Sequence, residues 1–167
     1  MRDETDGLLE AWARERPDLD TAPLAVLSRV TRLARHLDRE RRATFARHDL
    51  EAYEFDVLTA LRRSGPPYEL TPGQLLRHTL VGSGTMTNRL DRMQARGLVG
   101  RRPDPDDGRG VRVRLTERGR ERTDAAFADL LQRERALLGG LTERDRDRLA
   151  RLLRTVLVNF EGRTADD

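Results

Sequence analysis

No cysteine occurs among the 167 residues, which excludes disulfides, thiolate chemistry, thiol redox sensing and cysteine-based zinc sites. Any sensing must therefore be non-covalent, or run through histidine or carboxylate groups. Lysine is missing too: all 32 cations are arginine, so each can fork onto a phosphate or a carboxylate. No apolar run reaches 18 residues, and the first twenty residues are acidic and interrupted by charge. Neither a signal peptide nor a membrane span is expected, and the cytoplasm is the expected compartment. Aromatic residues are scarce at 4%, while hydrophobic and charged residues stand at 37% each. That is more charge than a self-contained globule normally carries, so part of the apolar surface is expected to be covered by a partner subunit.

The charge is local. The net value is only +3, yet residues 84–122 hold 11 arginines against six acidic residues, as an electrostatic footprint on DNA should. The length suits a single domain, 1–167. Within it, residues 51–116 read as a DNA-binding region, and 1–50 with 117–163 as a helical dimerisation region.

Hydrophobic spacing supplies the elements. A short helix is expected over 6–16, with Leu8, Leu9 and Trp12 on one side and Pro17 ending it. Thr21 and Pro23 open a long amphipathic helix to about residue 47, and 51–63 repeats the pattern until Ser64-Gly65-Pro66-Pro67 stops it. Thr71 caps the next helix with Pro72 in its first turn; residues 81–84 form the turn, and a further helix runs to Arg96 before Gly97. Helix, short glycine-containing turn, helix is the helix-turn-helix order. From Leu98 the period becomes alternating, which predicts a β-hairpin with a charged tip at 103–110 and with Val111, Val113 and Leu115 on one face. Thr116 caps a helix over 117–138, Gly139-Gly140 breaks it, and Thr142 with Asp145 opens a last helix to about 160 as a capping box with Asp for Glu. Residues 162–167 are expected to fray. The fold class is mainly α with a small β-hairpin wing.

The chemistry that reads DNA gathers at the second helix of the pair. Met86, Leu90 and Met93 fall at i, i+4, i+7 and fix its buried stripe, so Thr85, Thr87, Asn88, Arg89 and Arg92 lie on other faces. Asparagine suits adenine, arginine suits guanine, and threonine offers a hydroxyl and a methyl. Ser83 suits a cap, and that helix start can hold a phosphate. Arg109, behind Asp106-Asp107-Gly108, is placed to enter a minor groove from the wing tip, and Arg112 lies on the wing strand. Each feature alone has a plainer reading, as an arginine-rich exposed helix or a solvated hairpin tip. Their order along the chain is what makes them specific.

The S-G-T-M-T-N-R-L-D-R run at 83–92, the G-L-V-x-R-R run at 97–102, the D-x-R tip at 107–109 and L-T-x-x-G at 115–119 together resemble the winged helix-turn-helix of the MarR family of bacterial regulators. The resemblance covers nearly the whole chain. It implies a homodimer built from N- and C-terminal helices, two recognition helices on a pseudo-palindromic operator of double-stranded DNA, a repressor's role, and no cofactor. Half-sites would then lie about one turn, ~10 bp, apart. A narrower resemblance, to the urate-responsive, PecS-like members, implies an effector site at Trp12, Asp56, Arg89 and Arg101. The chemistry fits an anionic or aromatic small molecule, with urate or a related purine favoured: an indole plate for a flat ring, two guanidiniums, and a carboxylate that pairs with an arginine until the ligand competes. The plainer alternative is a structural ion pair at Asp56 and a tryptophan that staples the first helix, in a regulator that answers to phenolic ligands or to pH.

Other classes fare worse. His36, His48 and His78 are too scattered for a metal site. No glycine-rich phosphate loop follows a strand and no Ser-His-Asp arrangement is recognisable, so an enzyme is not expected.

Overall fold

Local capping chemistry sets most of the helix starts. In the computed structural model, which describes residues 2–79, 83–105, 107 and 110–161, α1 (Glu4–Glu15) begins at Asp3, whose carboxylate accepts the amide protons of Thr5 and Asp6 while Asp6 returns the bond. Arg29 of α2 (Ala22–Arg47) donates to both carboxylates, Nε to Asp3 at 2.8 Å and Nη2 to Asp6 at 2.6 Å, and so fastens α1 to α2. Thr21 makes no side-chain cap; the Asp20 carboxylate takes the Ala22 amide instead. A reciprocal box at Glu51 and Glu54 opens α3 (Ala52–Arg63). Thr71 and Gln74 form another ahead of α4 (Pro72–Thr79).

The turn expected over 81–84 does not extend to its last two residues. Ser83 and Gly84 already belong to α5 (Ser83–Ala95), and Val81 and Gly82 lie outside the described residues. Gly97, at φ +68°, ends α5: its own amide bonds the Gln94 carbonyl at 2.9 Å and the Leu98 amide bonds that of Met93 at 2.9 Å. This pair of bonds is a Schellman cap, and it needs the left-handed conformation that glycine adopts without strain.

The wing is a three-stranded antiparallel sheet in the order β1 (Glu69–Leu70), β3 (Val111–Leu115), β2 (Val99–Pro103). In the register, Arg114 stands between Glu69 and Gly100, and Arg101 faces Val113. Val113 and Leu115 are buried as expected, but Val111 is 40% exposed. It pairs with Pro103 at the far end of the hairpin, beyond the reach of the core. Thr116 caps α6 (Glu117–Leu137) through the Gly119 amide and donates to the carbonyls of Gly97 and Leu98. A Cβ on Gly119 would come within 2.1 Å of the Leu98 carbonyl oxygen, so α6 crosses the start of the wing only because residue 119 has no side chain. α7 (Glu143–Glu161) is capped by the Thr142 hydroxyl, which accepts the Asp145 amide and donates to its carboxylate.

Two compact units result, Met1–Ala126 and Phe127–Asp167. The core of the first joins Phe55, Leu58 and Leu61 of α3 to Leu75, to Met86, Leu90 and Met93 of α5, and to Val99, Val113 and Leu115 of the sheet, all buried. In the second, Leu149, Leu152, Leu153, Val156, Leu157 and Phe160 recur at helical spacing along α7, and every one is exposed. The fraying expected of 162–167 lies outside the described residues. No described helix is long and apolar enough to cross a membrane.

Candidate nucleic-acid interface

The two ends of α5 are built differently. Its buried stripe, Met86, Leu90 and Met93, turns Thr85, Thr87 and Asn88 outward, with Arg92 one turn on, and all four are exposed. Among the described residues their side chains make no hydrogen bond or ion pair, so hydroxyl, amide and guanidinium groups keep their full bonding capacity for an external partner. The side chain of Ser83 and the whole of Arg109 lie outside the described residues. Arg112, expected to face DNA, also braces the wing, since its Nε bonds the buried Asp104 carboxylate at 3.0 Å.

The far end of α5 is anchored. Arg96 Nη1 donates to Oε2 of Glu54 at 2.6 Å, and Glu54 is fully buried on α3. Arg96 Nη2 reaches the carbonyl of Asp49 at 2.6 Å and its carboxylate at 2.9 Å. Asp49, at φ +53° in the corner between α2 and α3, also accepts Arg122 of α6 at 2.5 Å. The Arg122 hydrogen bond, with the nearby charge of Arg96, holds the Asp49 carboxyl below the usual carboxylate range. Four segments meet in this knot, and the helix that carries Asn88 is fixed by it. The sequence reading missed the knot. A Glu three residues after Glu51 was its only local signal, and that signal speaks of a cap.

On the outer face of the sheet, the Glu69 side chain is 4% exposed and accepts three bonds of 2.6–3.0 Å from Arg102, with Arg114 3.9 Å away. The Arg102 bonds hold its carboxyl below the ordinary value against the opposing effect of burial.

Of the four residues expected at an effector site, Asp56 and Arg89 share one neighbourhood. Arg89 points back from α5 to α3, its guanidinium carbon 4.8 Å from the centre of the Tyr53 ring. Asp56 lies one turn beyond Tyr53; burial pushes its carboxyl up, while Arg41, Arg89 and Arg63 act in the opposite direction. The expected Asp56–arginine ion pair is not formed among the described residues. Arg101 pairs instead with Asp91 of α5 at 2.6 Å and approaches the Thr87 carbonyl at 3.4 Å. Trp12 is 42% exposed on α1, and no described contact joins its ring to the other three. Tyr53 went unnoticed in the sequence, although its i−3 spacing from Asp56 places both on one face of a helix.

The comparisons with known proteins follow this architecture. A family model described as the MarR family matches residues 48–110. Over 159 residues the chain is 34% identical to the HTH-type transcriptional regulator PecS of Dickeya dadantii (strain 3937), covering 93% of this chain and 96% of that one. Among solved structures, a mutant MarR from E. coli complexed with operator DNA is similar at a TM-score of 0.68 and 28% identity, covering 87% of this chain and 97% of that one. Bordetella bronchiseptica BpsR, from a structural study of the regulation of its DNA binding by 6-hydroxynicotinic acid, is similar at 0.61 and 29%, covering 76% and 91%.

Proposed function

Since the chain belongs to the MarR family of winged helix-turn-helix DNA-binding regulators, which are not enzymes, we propose that it is a cytoplasmic repressor. In this reading it binds a pseudo-palindromic operator as a homodimer and is released by a small flat oxyanion, urate or a related purine being the favoured class. Residues 1–50 and 117–163 form the dimerisation region and 51–116 the reader. The observation that carries the reading is the asymmetry of α5, whose exposed Thr85, Thr87 and Asn88 are uncommitted while Arg96 is tied down. A rigid mount with free donors and acceptors at its tip suits base recognition. Ser83, Arg92 and Arg109 would add contacts to the DNA backbone or minor groove, and Arg112 would act from the wing. For the effector, Asp56 and Arg89 form the centre of the site, with Arg101 at the first strand of the wing and Trp12 as an apolar plate. Arg89 belongs to the helix that reads DNA, so a ligand that takes hold of it biases the reader.

The test is fluorescence anisotropy with DNA flanking the protein's own coding region, run at several salt concentrations and with added urate. Tight binding, a steep salt dependence and release by urate are expected. In the same assay Asn88→Ala should lower the ratio of specific to non-specific affinity about tenfold, the worth of one bidentate base contact. Absence of binding at low salt to any flanking fragment would defeat the repressor reading.

A further inference from the structure

Asp49 closes the corner between α2 and α3 in the left-handed conformation, at φ +53°. Glycine takes that conformation at no steric cost; aspartate tolerates it, and here its side chain has a use. Two arginines from different helices pinch the residue. Arg96 Nη2 of α5 donates to the Asp49 carbonyl at 2.6 Å and lies 2.9 Å from its Oδ2. Arg122 Nη1 of α6 donates to the same two oxygens at 3.2 and 2.5 Å. The end of α2 is thereby bonded to α5 and α6 at once.

The apolar part of the same junction leaves an angle free. Phe45, near the end of α2, stacks on Phe55 of α3 with ring centroids 4.1 Å apart and planes 17° from parallel, and both are buried. Burial of apolar area has no direction, so the stack resists separation of the two helices more than it resists their turning. The planar guanidiniums supply direction, because each meets fixed acceptors on one residue. Their use is not stability: the Asp49 side chain is exposed, and an exposed pair adds little. Helix α6 is tied to the reader independently, by the Thr116 hydroxyl on the carbonyls of Gly97 and Leu98 and by Asp124 on Arg62 of α3. What the bracket at Asp49 adds is a hold on α2.

We propose that Asp49 is a positioning residue that sets the angle between α2 and the reader, and so determines which half-site spacing the protein accepts. The Phe45–Phe55 stack is the pivot and the two arginines are the stop. This rests on the homodimer reading above, in which α2 belongs to the dimerisation region. Recognition of one half-site by one subunit does not depend on the angle. Simultaneous recognition of two half-sites does, because two-fold symmetry fixes the separation of the two readers. One inserted base pair moves a half-site by about 3.4 Å along the duplex and turns it by about a tenth of a turn, which a held corner does not follow and a released one does.

Fluorescence anisotropy on the full-length protein measures affinity for three duplexes: the flanking fragment bound in the assay above, the same fragment with one base pair inserted at its dyad, and a single half-site. Wild type should bind the lengthened fragment about 100-fold more weakly than the original, the lower end of what a second tethered site contributes. Asp49→Gly keeps the left-handed corner and removes the carboxylate. It should cut that penalty to below about tenfold, with single half-site affinity within about threefold of wild type. Arg122→Gln, which removes the charge that α6 brings to the bracket, should move the penalty the same way. Sedimentation velocity should show both variants as dimers. The proposal is overturned if either variant keeps the wild-type penalty, or if single half-site affinity falls as far as that for the full fragment, which assigns Asp49 to the reading surface itself. It is also overturned if the variants become monomers, which assigns the bracket to the seam, or if a dimeric wild type binds both fragments alike. A wild-type protein that sediments as a monomer overturns the homodimer reading beneath it.

Discussion

Helices α3 and α7 both carry an apolar stripe, and they use it in opposite ways. Phe55, Val57, Leu58, Ala60 and Leu61 of α3 are at most 7% exposed, whereas the large apolar residues of α7 between Leu149 and Phe160 are 37–64% exposed. Amphipathicity alone cannot tell these outcomes apart, because the stripe records only that a surface will be covered, not by what. Where the cover comes from the same chain the helix joins the core. Where the stripe stays open, the homodimer proposed above would lay a second copy over it, since exposed contiguous apolar surface marks an interaction face.

The largest effect is expected at α7. Leu152→Asp combined with Leu157→Asp places two charges on that stripe without touching the core, and should convert the protein to a monomer in sedimentation velocity. Each buried charge in a packed interface costs several kcal/mol, so operator affinity should fall by more than about 100-fold as the second half-site is lost. A variant that stays dimeric and bound would move the dimer seam away from α7.

The next largest effect belongs to the reader's mount. Arg96→Ala leaves the fully buried Glu54 carboxylate, whose Oε1 already has no partner, without its cation. Stranding a buried charge typically costs about 3–5 kcal/mol; Arg96 is itself partly exposed, at 32%, so the low end, about 3 kcal/mol, is expected in urea unfolding. Glu54→Leu with Arg96→Met removes both charges together and should recover most of that loss. If Arg96→Ala costs less than about 1 kcal/mol, the knot does not hold the reader and the contrast between the two ends of α5 loses its basis.

These particulars show what was legible. The helices, the wing strands and the buried stripe of Met86, Leu90 and Met93 were readable because helical and alternating periods write themselves into neighbouring residues. Strand β1 was not, as Glu69 and Leu70 are too few to show a period. Nor was the knot, because Asp49, Glu54, Arg96 and Arg122 are brought together only by tertiary packing. Asp56 and Arg89 were found through family resemblance rather than spacing. Tyr53, whose ring lies under the Arg89 guanidinium, had no such pointer, and Arg101 turned to Asp91 because a neighbouring carboxylate on α5 was at hand.

The smallest effect expected is electrostatic, and it tests whether the wing, like α3, is held partly by charge. The bonds from Arg102 depress the Glu69 carboxyl in the folded protein. A depressed carboxyl stabilises the fold above its unfolded value and loses that contribution as pH falls through the folded value. The loss should therefore appear as pH drops from about 5 towards 3. Arg102 is 46% exposed, so solvent screening keeps the contribution under about 1 kcal/mol. Asp49 titrates with the same sign, which means the acid limb of the wild-type curve alone identifies neither group. The difference between wild type and Glu69→Gln does. In thermal melts from pH 7 to pH 3 that difference should shrink with falling pH, because acid removes from the wild type what the substitution has already removed. A difference that stays constant across the range would mean that the charge pairing of Glu69 with Arg102 adds nothing.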